Sequence, residues 1–275
     1  MNARRMTAVA AAALFTVGLA ACGSDDSGSG SGSGGGDPIK IGIKFDQPGL
    51  GLQDGGNYTG FDVDVANYVA KELGRTPEFI QAPSPQRETL IETGQVDLIF
   101  ATYSITDERK QKVSFAGPYF IAGQDLLVRE DSDITGVDGL DGKRLCSVSG
   151  STSAANVQKE VPGVQLREFD TYSECLDGLV NGQLDALTTD NTILAGYAAQ
   201  EQYKGKLKVV GNTFSEERYG VGLKKGDTAL CESVNKALEK MVSDGAWQKA
   251  VDDNFGPAGF KVDTETNPPK LDACS

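Results

Sequence analysis

DLIFATYSITDER, residues 97–109, is an apolar run that ends in small hydroxylated residues and is followed almost at once by an arginine. Val96, Leu98, Ile99 and Phe100 predict a buried strand, and residues 104–108 predict the turn that starts a short helix. The first N–H groups of a helix have no partner inside it, so a guanidinium and a few hydroxyls placed there complete a site for a carboxylate. Arg109 also stands beside Asp107 and Glu108, and a solvated surface ion pair is the plainer reading of that cluster.

Outward from this stretch, short β-type runs alternate with amphipathic ones. Upstream, strands are expected over 39–45, 78–81 and 96–101, with helices over 62–73 and 87–93; Val65, Val69 and Leu73 recur at helical spacing. Downstream, strands are expected over 125–129, 144–148, 164–169, 185–189, 207–210 and 219–223. Helices are expected over 152–161, 172–181, 192–203 and 227–244, the first closed by Pro162-Gly163. A βαβα order implies an α/β fold whose mainly parallel sheets are covered by helices on both faces, with ligands at the carboxyl ends of the strands. The length suits two lobes, and nothing in the middle reads as a flexible linker. The lobes are therefore expected to be joined by continuous strands near 125–130 and 216–222. That makes one lobe of residues 38–127 and 218–275 and another of 128–217, with a cleft between them. The last segment, 260–275, reads as a strap.

At the other end, Arg4 and Arg5 precede an apolar run over 8–21 and then Cys22. The run is too short to cross a bilayer as an ordinary helix and reads as a secretory signal, residues 1–21. Residues 22–37 are mostly glycine and serine and cannot bury apolar area, so they read as a flexible tether. Cleavage would remove two arginines and no acid, taking Lys+Arg from 26 to 24 against 39 Asp+Glu, and the net charge from −13 to −15. A surface this acidic argues against nucleic acid and against electrostatic binding to anionic headgroups. In an exported chain, Cys146, Cys175, Cys231 and Cys274 suggest two disulfides. Of the three connectivities, Cys146–Cys175 with Cys231–Cys274 keeps each pair within one lobe; buried free thiols are the alternative. With no histidine and no closely spaced cysteine pair, neither a metal site nor a cofactor is expected.

Leu19-Ala20-Ala21-Cys22 resembles the bacterial lipoprotein signal, which implies an acylated Cys22 that anchors the chain to the extracellular face of the cell membrane. Gly60-Phe61-Asp62-Val63-Asp64-Val65, continuing through Val69, Ala70 and Leu73, resembles the signature segment of family 3 extracellular solute-binding proteins, the polar amino-acid receptors of ABC importers. Ser104-Ile105-Thr106-Asp107-Glu108-Arg109 is similar to that family's ligand loop. Lys44-Phe45-Asp46-Gln47-Pro48-Gly49-Leu50, Gln86-Arg87-Glu88 and the cysteine positions resemble the glutamate-binding lipoproteins of actinobacteria.

The resemblance implies a two-lobed, periplasmic-binding-protein-like fold of type II that closes on an amino acid and delivers it to a membrane permease, as a monomer and without catalysis. It implies that Arg109 holds the α-carboxylate, with the Ser104 hydroxyl and N–H as further donors, and that Thr102 offers its carbonyl to the α-ammonium. From the other lobe, Ser151 and Thr152 would close on the same carboxylate, and Asp190 would bind the ammonium; a plain helix N-cap is the alternative for Asp190. An acidic ligand side chain would need a second cation, since a buried unpaired carboxylate costs several kcal/mol. Arg87 is the first candidate and Lys44 the second; for Arg87 the alternative is a surface pair with Glu88 or Glu92. Asp62 and Asp64 are read as first-turn residues favourable to the helix dipole, with no ligand contact. The small, glycine-rich stretch 47–51 leaves Phe45 a poor pocket wall. Glutamate is the leading ligand, with glutamine and aspartate as alternatives. An amino-acid sensor and a dehydratase-like enzyme on the same fold are the competing functions, although no pair of acids stands out as a catalytic dyad.

Overall fold

The computed structural model describes residues 36–274; the expected signal (1–21), the acylated Cys22 and nearly all of the tether lie outside the described residues. In chain order the strands are β1 (Pro38–Ile43), β2 (Asp46–Gln47), β3 (Gly51–Asp54), β4 (Asn57–Thr59), β5 (Thr76–Gln81), β6 (Leu98–Phe100), β7 (Val113–Ala122), β8 (Gln124–Arg129), β9 (Arg144–Val148), β10 (Gln165–Phe169), β11 (Ala186–Asp190), β12 (Leu207–Val209) and β13 (Glu217–Lys224). The helices are α1 (Phe61–Glu72), α2 (Arg87–Glu92), α3 (Asp107–Lys110), α4 (Thr152–Glu160), α5 (Ser173–Val180), α6 (Asn191–Ala198), α7 (Thr228–Ser243) and α8 (Ala246–Phe255).

The first sheet runs β5-β1-β6-β13-β7 and the second β10-β9-β11-β8-β12; β2, β3 and β4 form a small antiparallel sheet of their own. In the first sheet β1 pairs in parallel with β5 and β6, while β13 is antiparallel to β6 and β7. In the second, β9 is parallel to β10 and β11, while β8 is antiparallel to β11 and β12. Four of the five strands in each sheet therefore run the same way, as the expectation of mainly parallel sheets required, and β13 and β8 are the reversed ones. The antiparallel members are the strands that carry the chain between sheets: β7 passes into β8 through Gly123 alone, and the chain returns between Val209 and Glu217.

Burial explains why the central strands read as unbroken apolar runs. Along β6, Leu98 and Phe100 pack on one face with Phe61, Val65 and Val69, whereas Ile99 and then Ala101 pack on the other with Leu90, Ile91 and Tyr103. The second sheet alternates likewise: Leu127 and Cys146 face one cluster, and Leu126, Val128 and Leu145 the other. Helix α1 starts at Gly60, whose φ of 125° suits glycine and where a Cβ would lie 2.2 Å from the Leu50 carbonyl oxygen.

Several elements were not anticipated. Strand β7 is interrupted in sequence by Gly117-Pro118, and β3 and β4 are short and polar; helix α8 follows α7 after only Asp244 and Gly245 and carries the adjacent acids Asp252 and Asp253. The C-terminal strap has no regular structure. It is held by Asn267, whose side chain both accepts from the Ile121 N–H (2.8 Å) and donates to the Ile121 carbonyl (3.0 Å), and by the Asp272 N–H on the Gly117 carbonyl (2.7 Å).

Both disulfides follow the within-lobe pairing: Cys146–Cys175 ties β9 to α5, and Cys231–Cys274 ties α7 to the strap. The Cys231–Cys274 bridge spans 43 residues of sequence. Cys274→Ser is expected to lower unfolding free energy by about 2–4 kcal/mol. Urea denaturation under non-reducing conditions checks it, and an unchanged midpoint would show that the strap is held by its hydrogen bonds alone.

Candidate functional site

The loops after the carboxyl ends of β1, β5, β6, β9 and β11 bring the candidate residues together. Thr102 and Ser104 follow β6, Lys44 follows β1, Arg87 opens α2 beyond β5, Ser151 and Thr152 follow β9, and Asp190 ends β11. Arg87, Thr102, Arg109, Ser151, Thr152 and Asp190 line one small cavity, together with Tyr172 and Ser84. The cavity has room for about one water molecule.

Arg109 is only 8% exposed, so it is no surface pair with Asp107 or Glu108. One of its terminal nitrogens donates to the Ser104 carbonyl (2.7 Å), the other donates to the Gly150 carbonyl (2.9 Å), and Nε lies 3.5 Å from Glu88 Oε1. Arg87, at 2% exposure, is not paired with Glu88 or Glu92. It donates to the carbonyls of Ser84, Ala101, Thr102 and Gly150 at 3.1–3.4 Å. Both guanidinium carbons lie over the Tyr103 ring, at 4.4 Å for Arg87 and 4.8 Å for Arg109. Burial, and then the nearby Arg109, lowers the Arg87 pKa to about 10. Gly150 reaches both arginines because its φ is 73° and its backbone abuts Pro85, where a Cβ would lie 2.9 Å from Pro85 Cα.

Lys44 lies behind the cavity wall, its Nζ donating to Ser84 Oγ at 2.7 Å. Burial, and then the charge of Arg87, lowers its pKa to about 7. Neither Lys44 nor Arg87 forms an ion pair among the described residues. Phe45 is half-buried and does not line the cavity.

Asp190 stands at the N-cap of α6 without capping it: no side-chain cap bond forms. Its Oδ2 accepts from the Tyr219 hydroxyl at 2.6 Å, and its Oδ1 is buried with no hydrogen-bond partner. Burial, reinforced by the charge of Glu217, pushes its pKa up to about 8. Ser151 does cap, accepting from the Ala154 N–H at 3.1 Å and fixing the start of α4.

Two acids escaped the sequence reading. Asp62 does more than favour the α1 dipole: its fully buried carboxylate accepts the Thr102 N–H (2.8 Å) and the Tyr119 hydroxyl (2.8 Å). Thr102 has a φ of 44°, the one positive value outside glycine among the described residues. The Asp62 bond offsets the cost of that left-handed backbone, which aims the Thr102 carbonyl at Arg87. Glu217, at 2% exposure, accepts on Oε2 from the hydroxyls of Ser104 (2.5 Å) and Thr152 (2.8 Å). The Ser104 hydroxyl, expected to donate into the cleft, is thus committed elsewhere. A single acid between Glu216 and Arg218 in an acidic chain gives no local sign of this burial.

A cavity flanked by guanidiniums on one side and an unpaired carboxylate oxygen on the other suits a small zwitterion. Comparison with known families agrees. The model of bacterial extracellular solute-binding proteins, family 3, matches residues 39–257. The chain belongs to this family. Among curated relatives, the glutamate-binding protein GluB of Corynebacterium glutamicum is 46% identical over 93% of this chain and 92% of its own length. The ABC transporter glutamine-binding protein GlnH of Bacillus subtilis is 39% identical over 78% of this chain and 79% of its own. Among solved structures, an ancestral arginine-binding protein bound to glutamine superposes with a TM-score of 0.75 at 37% identity, covering 80% of this chain and 98% of that one. The two-sheet α/β architecture is therefore that of family 3 amino-acid-binding proteins of type II. No described helix is long and apolar enough to cross a membrane.

For a family 3 protein, the cost of Asp190 in the free state has a measurable sign. A carboxyl whose folded pKa is raised from 3.8 to about 8 adds stability that is complete below 3.8 and is lost as pH rises through about 8. Asp190→Asn removes that loss. It is expected to raise the melting temperature of the free protein above about pH 8, by several degrees, and to have little effect below about pH 4. Thermal melts across pH check this, and an equal shift at every pH would refute it.

Proposed function

We propose that this protein is a receptor that captures an acidic amino acid, most readily glutamate, between two lobes and hands it to an ABC permease without turning it over. In this reading residues 38–127 with 218–275 form one lobe and residues 128–217 the other. The carrying observation is the mismatch of charges around the cavity. Among the described residues, Asp190 Oδ1 is buried without a donor, while Lys44 and Arg87 are buried without an acid at ion-pair distance. Burial of unpaired charge is unfavourable, and a ligand with one ammonium and two carboxylates would answer each of these groups.

Arg109 would bind the α-carboxylate bidentately once its bond to the Gly150 carbonyl is exchanged for the ligand. The Thr102 carbonyl and Asp190 would take the ammonium. The turn at Ser151 and Thr152, with the N-terminus of α4, would close over the carboxylate. Arg87, and Lys44 through small movements about Ser84, would face the ligand side chain. The GluB and GlnH similarities support an amino acid of this size and leave the choice between acid and amide to these cations. A cavity with room for about one water cannot admit an amino acid unless the second-sheet side swings away, so entry requires opening. Ligand would then favour the closed form through the contacts made only there. Acylation at Cys22 and a flexible tether would keep a monomeric receptor at the extracellular face of the membrane, beside its permease.

Arg109→Ala is expected to weaken L-glutamate binding by about a hundredfold or more, with the melting curve of the free protein little changed. Calorimetric affinity within about threefold of the parent protein would overturn the Arg109 role.

Proton exchange on binding separates acid from amide. Asp190, held up near 8 by burial, loses a proton when an ammonium arrives, whereas Lys44, held down near 7, gains one when a carboxylate arrives. Near pH 7, L-glutamine is therefore expected to release up to about one proton and L-glutamate fewer. Calorimetry in buffers of different ionisation enthalpy measures both. Equal release for the two would remove Lys44 from the side-chain subsite.

A further inference from the structure

Glu217 sits where the chain returns from the second sheet to the first, paired with Ala122 just before the outward crossing at Gly123. Its carboxylate receives four neutral donors and no cation at ion-pair distance among the described residues. Oε2 accepts from the hydroxyls of Ser104 and Thr152, and Oε1 accepts from Ser215 Oγ (2.8 Å) and Asn156 Nδ2 (3.2 Å). Ser104 belongs to the loop after β6, in the first sheet. Thr152 and Asn156 are one turn apart on α4, on the second-sheet side. One buried carboxylate therefore joins the two sides at their crossing.

A hydroxyl carries one proton. With theirs given to Oε2, Ser104 Oγ and Thr152 Oγ1, 3.4 Å from each other, have only lone pairs left for the ligand. We propose that Glu217 is a positioning residue that fixes this polarity, so that the hydroxyl pair accepts from the ligand's ammonium and does so only when α4 has closed onto the Ser104 loop. The proposal rests on the amino-acid-receptor reading and sharpens it. It moves the Ser104 hydroxyl from the carboxylate to the ammonium side and leaves the carboxylate to Arg109 and backbone N–H groups. It also gives closure a second effect: swinging α4 away removes Thr152 and Asn156 from Glu217 and separates the acceptor pair.

Glu217→Gln replaces one acceptor oxygen with an NH2 that cannot accept, so at least one donor must turn away. Titration of L-glutamate by calorimetry is expected to show affinity reduced about tenfold or more, with the ligand-free melting temperature within about 2 °C of the parent. In a Ser104→Ala background the same substitution is expected to cost about threefold or less, because the hydroxyl it orients is gone. An undiminished loss in that background, or no loss in the parent, overturns the proposal. If Glu217→Gln does not fold, Asn156→Ala serves instead: it removes a Glu217 donor that does not line the cavity, and it is expected to weaken binding about threefold. Unchanged affinity there overturns the proposal as well. A parent protein that binds none of the twenty amino acids overturns the receptor reading and this proposal together; a parent that binds while Glu217→Gln is silent overturns only the latter.

Discussion

Two guanidinium groups converge on a single carbonyl oxygen, that of Gly150, and share one face-on aromatic neighbour in Tyr103. Like charges brought this close inside a protein repel, and the arrangement persists because each guanidinium is saturated with acceptors from more than one part of the chain. Ser84, Ala101 and Thr102 serve Arg87; Ser104 and Glu88 serve Arg109. Glu88 also accepts the Tyr103 hydroxyl at 2.7 Å, which fixes the ring that both cations face. The Gly150 carbonyl comes from the second sheet and every other acceptor from the first, so this oxygen is the point at which the two sides exchange partners.

The remaining polar groups of the site follow from that constraint. Acceptors for Arg87 must sit at the end of β6, which requires the left-handed turn at Thr102, and that turn requires Asp62 forty residues away on α1. The signature helix thus serves the site through one hydrogen bond to a backbone N–H. Across the cavity Asp190 leans on Tyr219, whose strand also bridges Ser104, so the end of β11 and the loop after β6 are registered by the same strand.

What was legible in the sequence was what is local and periodic. Val65 and Val69 on α1, the run at 98–100 and the alternating order of elements led to the α/β architecture, with boundaries generally within a few residues of those observed. The antiparallel strand β7 was not legible because Gly117-Pro118 interrupts its apolar run, and the β2–β4 hairpins are too short and too polar to alternate visibly. The candidate site was legible where residue type and chain position coincide, as for Arg109 after β6 and Asp190 at the end of β11. It was not legible for Asp62 and Glu217. Their partners are far away in sequence, and an acid in an acidic chain looks the same whether it is solvated or buried.

The two disulfides each join elements on one side of the crossing segments: β9 with α5 beside the second sheet, α7 with the strap beside the first. No covalent bridge spans the crossings at Gly123 and between Val209 and Glu217 among the described residues. Mechanically, each half is stapled to itself and the joint is left unstapled. In the receptor as proposed, oxidation outside a cell would therefore stiffen the two jaws without stiffening the bite.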